Sequence, residues 1–252
     1  MEKIFLSVVI PCYNEERNLR LGALEKVAHY LDNQKYSWEV IIVDDGSSDA
    51  SIRLVEEFIK EHESFILVRS RHQGKAAAVT AGIFKSHGEV ILFTDLDQAT
   101  PLSQVEKLLQ FLSRGFDVVI GSRNNKRAGA PFFRKAMAYG FMTLRNIILN
   151  LGIRDTQCGF KAFQKVAAFD IFSKLQVFDQ NRLAYGSTVT AGFDVELLYI
   201  AKLAGYKIAE VDVEWHYQET RHVNPVKDSL ESLVDLLRIR FNSMRGVYKG
   251  NV

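Results

Sequence analysis

The stretch "VILFTDLDQATP" (90–101) runs from five apolar or β-branched residues into two carboxylates and then a helix-start pair. A continuous apolar run of this length, without polar alternation, fits a strand covered on both faces. Thr100 followed by Pro101 predicts a helix starting there, with threonine as N-cap and proline in the first turn. Asp95 and Asp97 therefore fall at the strand end with no capping role of their own. Carboxylates this close repel unless a cation or a proton lies between them. By itself the segment reads either as a solvated acidic turn or as a site for a hard cation.

Moving outward, the same grammar repeats. β-Rich runs at 4–10, 39–43, 65–69 and 117–121 join the one at 90–94, with helix-like segments near 15–33, 50–63, 74–87 and 101–114 between them. Val/Ile runs separated by helices predict an α/β fold, a mostly parallel central sheet flanked by helices. Ligands on such sheets bind beyond the C-terminal strand ends. "PCYNEE", "DDGSSD", "SRHQGK", "DLDQAT" and "GSR" follow the five runs in turn, so five polar clusters are expected on one rim.

The second half is patterned differently. Residues 131–151 place Phe133, Met137, Phe141, Leu144, Ile148 and Leu151 on one helical face. "DTQCGFKAF" (155–163) reads as a turn or strand, 190–205 as a helix ended by Gly205, and 207–217 as a strand. From 226 to 248 a second amphipathic helix carries Leu230, Leu233, Val234, Leu237, Phe241, Met244 and Tyr248, with Arg238, Arg240, Arg245 and Lys249 late in it. Phe132, Phe133, Phe141 and Met142 beside Arg134, Lys135 and Arg145, together with the tail stripe, suit a membrane surface. The other covers open to these stripes are the sheet itself, a second copy in a homo-oligomer, or a membrane protein partner.

With 252 residues, 25% charged and 47% hydrophobic, the chain suits one large domain with a sizeable core. A formal charge of +2 gives no global field for nucleic acid, and none is expected as a partner. Two cysteines and no visible secretory leader point to a reducing, cytoplasmic setting. No stretch reaches the ~18 apolar residues of a membrane span, so attachment is expected to be peripheral.

Dinucleotide (G-x-G-x-x-G), P-loop and G-x-S-x-G signatures are missing, and six histidines lack zinc spacing. Lone residues such as His216 and His222 are more often structural than ligands. What remains is a set of carboxylates with scattered cations. Asp95 and Asp97 suit a hard divalent cation whose shell substrate phosphates complete. Lys75, Arg123, Arg134, Arg221 and Lys227 suit phosphate oxygens. Together they fit a nucleotide diphosphate leaving group stabilised by metal and cations.

"VVIPCYNEE", "VDDGSSD", "GKAAAVTAG" and "DLDQATP" resemble, in order, the nucleotide-sugar half of family 2 glycosyltransferases of the GT-A fold. "GSR", "RDTQCGFKAF" and "GFDVELLYIAKLAGYKIAEVDVEW" are similar to the subgroup that glycosylates polyprenyl and dolichyl phosphates, its glucosyltransferases first and its mannose synthases next. The resemblance implies one GT-A domain over 1–252, with a nucleotide-sugar half (1–122), an acceptor half (123–225) and an amphipathic C-terminal helix (226–252). It implies a base and ribose site from Pro11, Tyr13, Glu15, Asp44 and Asp45, with Asp95 and Asp97 meeting ribose and Mg²⁺ or Mn²⁺. Gln98 stands where the family commonly has glycine. Arg123 and Arg134 match arginines that hold the acceptor phosphate. Arg221 and Lys227 match a basic pair near the diphosphate, although "HVNPV" replaces the usual glycine and serine between them. Asp194 and Glu196 either orient the sugar or the acceptor arginines, or serve as acids in a helix's first turn. The implied reaction is inverting transfer of a hexose, from UDP-glucose or else GDP-mannose, to a polyprenyl phosphate at the cytoplasmic face of a membrane. Two rival readings are transfer to a carbohydrate hydroxyl with Asp194 as base, and a silent nucleotide-binding scaffold.

Overall fold

Each β-rich run becomes a strand whose alternate side chains enter opposite layers. The computed structural model describes residues 3–123, 132–176, 191–216 and 225–248. Among these, β1 (Leu6–Cys12), β2 (Trp38–Asp44), β3 (Phe65–Arg69), β4 (Val90–Thr94), β5 (Val118–Arg123), β6 (Phe160–Gln164) and β7 (Ile208–Val213) form one sheet. The order is β3-β2-β1-β4-β6-β5-β7. All neighbours pair in parallel except β6, which runs antiparallel to both β4 and β5.

One face buries Val9, Ile41 and Phe93 under α4 (Lys75–Lys85), α7 (Lys165–Ser173) and α8 (Ala191–Leu203). The other buries Val8, Ile42 and Leu92 under α2 (Ala23–Asp32), α3 (Ser51–Ile59) and α5 (Val105–Ser113). Covering both faces is why these strands read as unbroken apolar runs. The helix expected over 15–33 is divided into α1 (Glu16–Arg20) and α2, because Gly22 takes a left-handed conformation (φ 75°) before α2. Nor does a helix begin at Thr100–Pro101. Pro101 is extended (φ −57°, ψ 139°), a 3-10 turn follows at Leu102–Gln104, and α5 starts after it.

Two helices carry the amphipathic stripes; the side chains of Phe132, Phe133, Met137, Phe141 and Leu230 lie outside the described residues. α6 (Phe132–Leu149) and α9 (Pro225–Met244) lie against one another, and α9 also packs on α8. α9 docks through Leu236 and Ile239, both fully buried. The stripe singled out in the sequence is thereby split: Tyr248 is buried, while Val234, Leu237, Phe241 and Met244 stay exposed. Arg145 differs from expectation. It is buried, and it donates to Thr156 Oγ1 (2.7 Å) and to the Ile153 carbonyl instead of facing a membrane. A guanidinium can satisfy several carbonyls at once, which explains why an arginine ties the 153–156 segment to α6.

The turn after β4 carries a backbone constraint. Gln98 is left-handed (φ 51°), and both its N–H (3.3 Å) and its Nε2 (2.9 Å) donate to the Asp95 carbonyl. Left-handed backbone costs a non-glycine residue about 1–2 kcal/mol, more for a β-branched one. Gln98→Val adds β-branched strain to that cost and loses the Nε2 hydrogen bond, so it should lower the unfolding free energy by about 1–2 kcal/mol. Gln98→Gly should change it by less than about 1 kcal/mol, because relief of strain is offset by the lost side-chain hydrogen bond and added chain freedom. Urea denaturation of both variants checks the contrast.

Candidate active site

Parallel pairing brings the C-terminal ends of β1 to β5 to one rim, and antiparallel β6 returns its N-terminal side to the same place. Thr94 pairs with Phe160, so the 155–159 segment sits beside the acidic turn. At the β1 and β2 ends the chain is stitched by Asp45 N–H to the Cys12 carbonyl (2.8 Å) and Ser70 N–H to the Asp44 carbonyl (2.8 Å). Pro11, half-buried, is the penultimate residue of β1, and beyond the strand come Tyr13 and Glu15, which accepts from Asn18 Nδ2 (2.6 Å).

Asp44 and Asp45 are both buried and both hold loops. Asp44 accepts from the Gly46 (3.0 Å) and Ser47 N–H groups. Asp45 accepts from Gln73 N–H (2.8 Å), Gly74 N–H (2.8 Å) and His72 Nδ1 (2.8 Å). Since Nδ1 also meets the Asp45 carbonyl oxygen (3.0 Å), it must carry the proton. The His72 ring lies flat on Tyr13, with centroids 4.0 Å apart and planes 6° apart. His72 thus joins two residues of the expected base site. Sequence reading missed it as a site residue, although "SRHQGK" placed it at a strand end.

Around the acidic turn the charges interlock. Lys75, first residue of α4, donates to Asp95 Oδ1 (2.5 Å). Asp95 in turn rests on Gly159, where an added Cβ would lie 2.1 Å from Asp95 Oδ2, so any larger residue would displace the carboxylate. Asp97 accepts from Ala99 N–H (2.9 Å). Burial, reinforced by the nearby Asp95 carboxylate, pushes the Asp97 pKa above the usual range. Burial alone would favour the neutral amine of Lys75, but Asp95, Asp194 and Asp97 outweigh it and hold the ammonium firmly charged.

Arg123, at the end of β5, is gripped by Asp155 from "DTQCGF": Nε to Oδ2 at 2.7 Å and Nη2 to Oδ1 at 2.8 Å. Burial opposes its charge, but the Asp155 carboxylate outweighs burial and raises its pKa further. A guanidinium has five N–H donors, so about three remain for another anion. Its face lies over Trp215, 5.8 Å from the ring centroid. His216 N–H reaches the Ala99 carbonyl (2.8 Å), which brings the end of the β7 segment against the acidic turn.

Asp194, in the first turn of α8, is not an isolated acid. Lys161 is fully buried in β6 and donates to Asp194 Oδ1 (2.5 Å) and to the Cys158 carbonyl (2.5 Å). Its ammonium also lies 5.0 Å from the centre of the Phe93 ring. Glu196 points elsewhere, accepting from Tyr248 Oη (2.6 Å) and Gln176 N–H (3.0 Å) as a buried structural group. Lys161 was legible only as a charge inside an apolar strand, and Asp155 only as one acid in a turn. Arg134 and Lys227 fall in the first turns of α6 and α9; their side chains, and all of Arg221, lie outside the described residues.

Cys12 and Cys158 are buried free thiols, and burial pushes both pKa values up, which disfavours thiolate chemistry. Among the described residues no three His, Cys, Asp or Glu side chains surround a cation position. Asp95 and Asp97 still fit a hard cation: they are oxygen donors two residues apart on a partly exposed rim.

The doubly covered, mostly parallel sheet with its acidic rim is the architecture of solved glycosyltransferases of the GT-A fold. The UDP complex of glucosyl-3-phosphoglycerate synthase from Mycobacterium tuberculosis superposes with a TM-score of 0.65 at 18% identity, over 94% of this chain and 80% of that one. The family model for glycosyl transferase family 2 matches residues 7–172, and the chain belongs to that family. Dolichyl-phosphate beta-glucosyltransferase of Homo sapiens is 37% identical over 97% of this chain and 77% of its own length. The Dictyostelium discoideum protein of the same name is 34% identical over 99% and 78% respectively.

Proposed function

We propose that this protein transfers glucose from UDP-glucose, with inversion, to a polyprenyl phosphate of the dolichyl type at a membrane surface. The near full-length similarity to dolichyl-phosphate beta-glucosyltransferases supports the glucose and the lipid phosphate. The geometric observation that carries the reading is the Lys161–Asp194 pair. A hydroxyl acceptor needs a base to take its proton. Asp194, the acid considered for that task, is bound to a buried ammonium, which favours an acceptor that arrives as an anion. A phosphate monoester has a second pKa near ~6 and is already a nucleophile at neutral pH.

The acceptor oxygen attacks the anomeric carbon as the bond to the diphosphate breaks, and UDP departs with the electron pair; no proton moves. The protein's work is alignment and charge stabilisation. Tyr13, Asp44 and Asp45, held with His72, form the base and ribose side. The free donors of Arg123 are assigned to the acceptor phosphate and Lys75 to the diphosphate; for Arg134 at the acceptor phosphate, and for Arg221 and Lys227 at the diphosphate, the support is the family resemblance alone. Asp95 and Asp97 would hold Mg²⁺ or Mn²⁺, which supplies Lewis-acid stabilisation of the leaving diphosphate; the M. tuberculosis synthase has been crystallised with Mn²⁺ and UDP.

A lipid-linked phosphate lies at headgroup level, so the rim must reach that plane. Among the described residues no helix is long and apolar enough to cross a membrane. α9 instead exposes Val234, Leu237, Phe241 and Met244 with Arg238 and Arg240 beside them, and α6 adds Ile147. An apolar stripe flanked by basic residues suits the membrane interface. With anionic vesicles containing dolichyl phosphate, the protein should float at low salt, less so at high salt, and transfer label from UDP-glucose in preference to GDP-mannose. Label transfer from GDP-mannose alone, or only to free sugars, would overturn the reading; failure to float in either salt would remove the membrane part.

A further inference from the structure

Lys75 is placed to do more than meet a phosphate. Its backbone is anchored where Asp45 holds the Gln73 and Gly74 N–H groups, immediately before α4 begins. Its side chain is only 23% exposed, and its ammonium is committed to Asp95 Oδ1. Asp97 lies within its electrostatic reach, as does Asp194. Asp194 already has Lys161, so the local balance of Asp95, Asp97 and Lys75 is one net negative charge. A divalent cation and the Lys75 ammonium compete for the Asp95 carboxylate, because the two like charges repel each other beside it. A diphosphate changes the balance, because its oxygens can receive the ammonium that Asp95 gives up.

We propose that Lys75 is a built-in counter-ion of the acidic turn: it occupies Asp95 until a nucleoside diphosphate arrives, then exchanges the carboxylate for the diphosphate. The consequence is order. A divalent cation binds the turn weakly by itself and tightly together with the nucleotide, and Lys75 acts against the metal in the first state and for the complex in the second. This rests on reading the rim as a sugar-nucleotide site. Its distinguishing feature is a change of sign, which neither a surface lysine nor a purely structural ion pair would produce.

The experiment is Mn²⁺ binding, read from the free-ion EPR signal on chelator-treated protein, with and without saturating UDP, for the native chain and Lys75→Met. Without UDP the variant should bind Mn²⁺ about tenfold more tightly, the change expected when ~1.4 kcal/mol of competition is removed. With UDP the order should reverse, and both Mn²⁺ and UDP should bind the variant about tenfold more weakly. Equal or weaker Mn²⁺ binding by Lys75→Met without UDP would overturn the counter-ion, whatever the nucleotide does. Absence of UDP binding to the native chain would overturn the sugar-nucleotide reading, and with it the exchange, while the metal-only arm still judges the counter-ion. Lys75→Gln, run in parallel, supplies the same comparison should the methionine variant fail to fold. Lys75→Arg should keep the native order of effects.

Discussion

Replacing Asp97 with asparagine should nearly abolish glucosyl transfer while raising the melting temperature. The two effects share one cause. Asp97 is pushed above the normal carboxylate pKa by burial and by Asp95, so its folded pKa exceeds its unfolded one. Protonation of such a group favours the folded state at low pH. That benefit is lost as pH rises from the ordinary carboxylate pKa through the raised one. At neutral pH the ionised side chain therefore costs stability, and a neutral amide of the same shape removes the cost. Loss of an electrostatic stabiliser of the leaving group lowers a rate by about 10²–10³ or more. Thermal melts at pH 7 and pH 4 make the test: the variant's advantage should be present at pH 7 and shrink at pH 4. Mn²⁺ with UDP should stabilise the native protein and leave the variant much less affected. A lower melting temperature at pH 7, or unimpaired transfer, would contradict the assignment. Such a trade of stability for function is expected where a site keeps like charges together.

The second large effect concerns the Lys161–Asp194 pair. Lys161→Met leaves a carboxylate in a buried place with its cation removed, and breaking a buried pair costs about 3–5 kcal/mol. The double variant Lys161→Met/Asp194→Asn removes both charges and should recover most of that loss, since the cost belongs to the unpaired ion. Denaturation curves of the single and double variants measure the coupling. Transfer then separates the two acceptor chemistries. With a phosphate acceptor, Asp194→Asn should retain activity to within about tenfold, since no proton is removed. A general base contributes about 10²–10⁴-fold, so a loss of that size, relieved at higher pH, would point to a hydroxyl acceptor.

These two residues also mark different limits of sequence reading. Asp97 was visible because its position follows from one dimension: an apolar run, an acidic pair, a turn. The parallel sheet was visible for the same reason, since strands buried on both faces must be continuously apolar and their connections must be helices. Once the strands were placed, the rim followed, because parallel strands all end on one side. α6 and α9 were legible as helices from their apolar spacing, and α8 as a helix ended by Gly205.

What the chain alone left open is what each helix face and each loop meets. α9 has apolar residues on more than one side, and only packing decided that Leu236 and Ile239 go inward while Leu237 and Phe241 stay out. Arg145 looked like a surface cation, yet the carbonyls of the 153–156 segment drew it into the interior. The role of "DTQCGF" depended on the direction of β6. Had it run parallel to β4, Asp155, Gly159 and Lys161 would have been carried away from the rim; running antiparallel, they grip Arg123, admit Asp95 and hold Asp194. Periodicity records whether a residue is buried, because burial repeats with the strand or the helix turn. Ion pairs between residues 20 to 33 positions apart, such as Lys75–Asp95, Arg123–Asp155 and Lys161–Asp194, leave no periodic trace. They exist only once the sheet order has brought their elements together, and so tertiary structure decided the charge arrangement of the site.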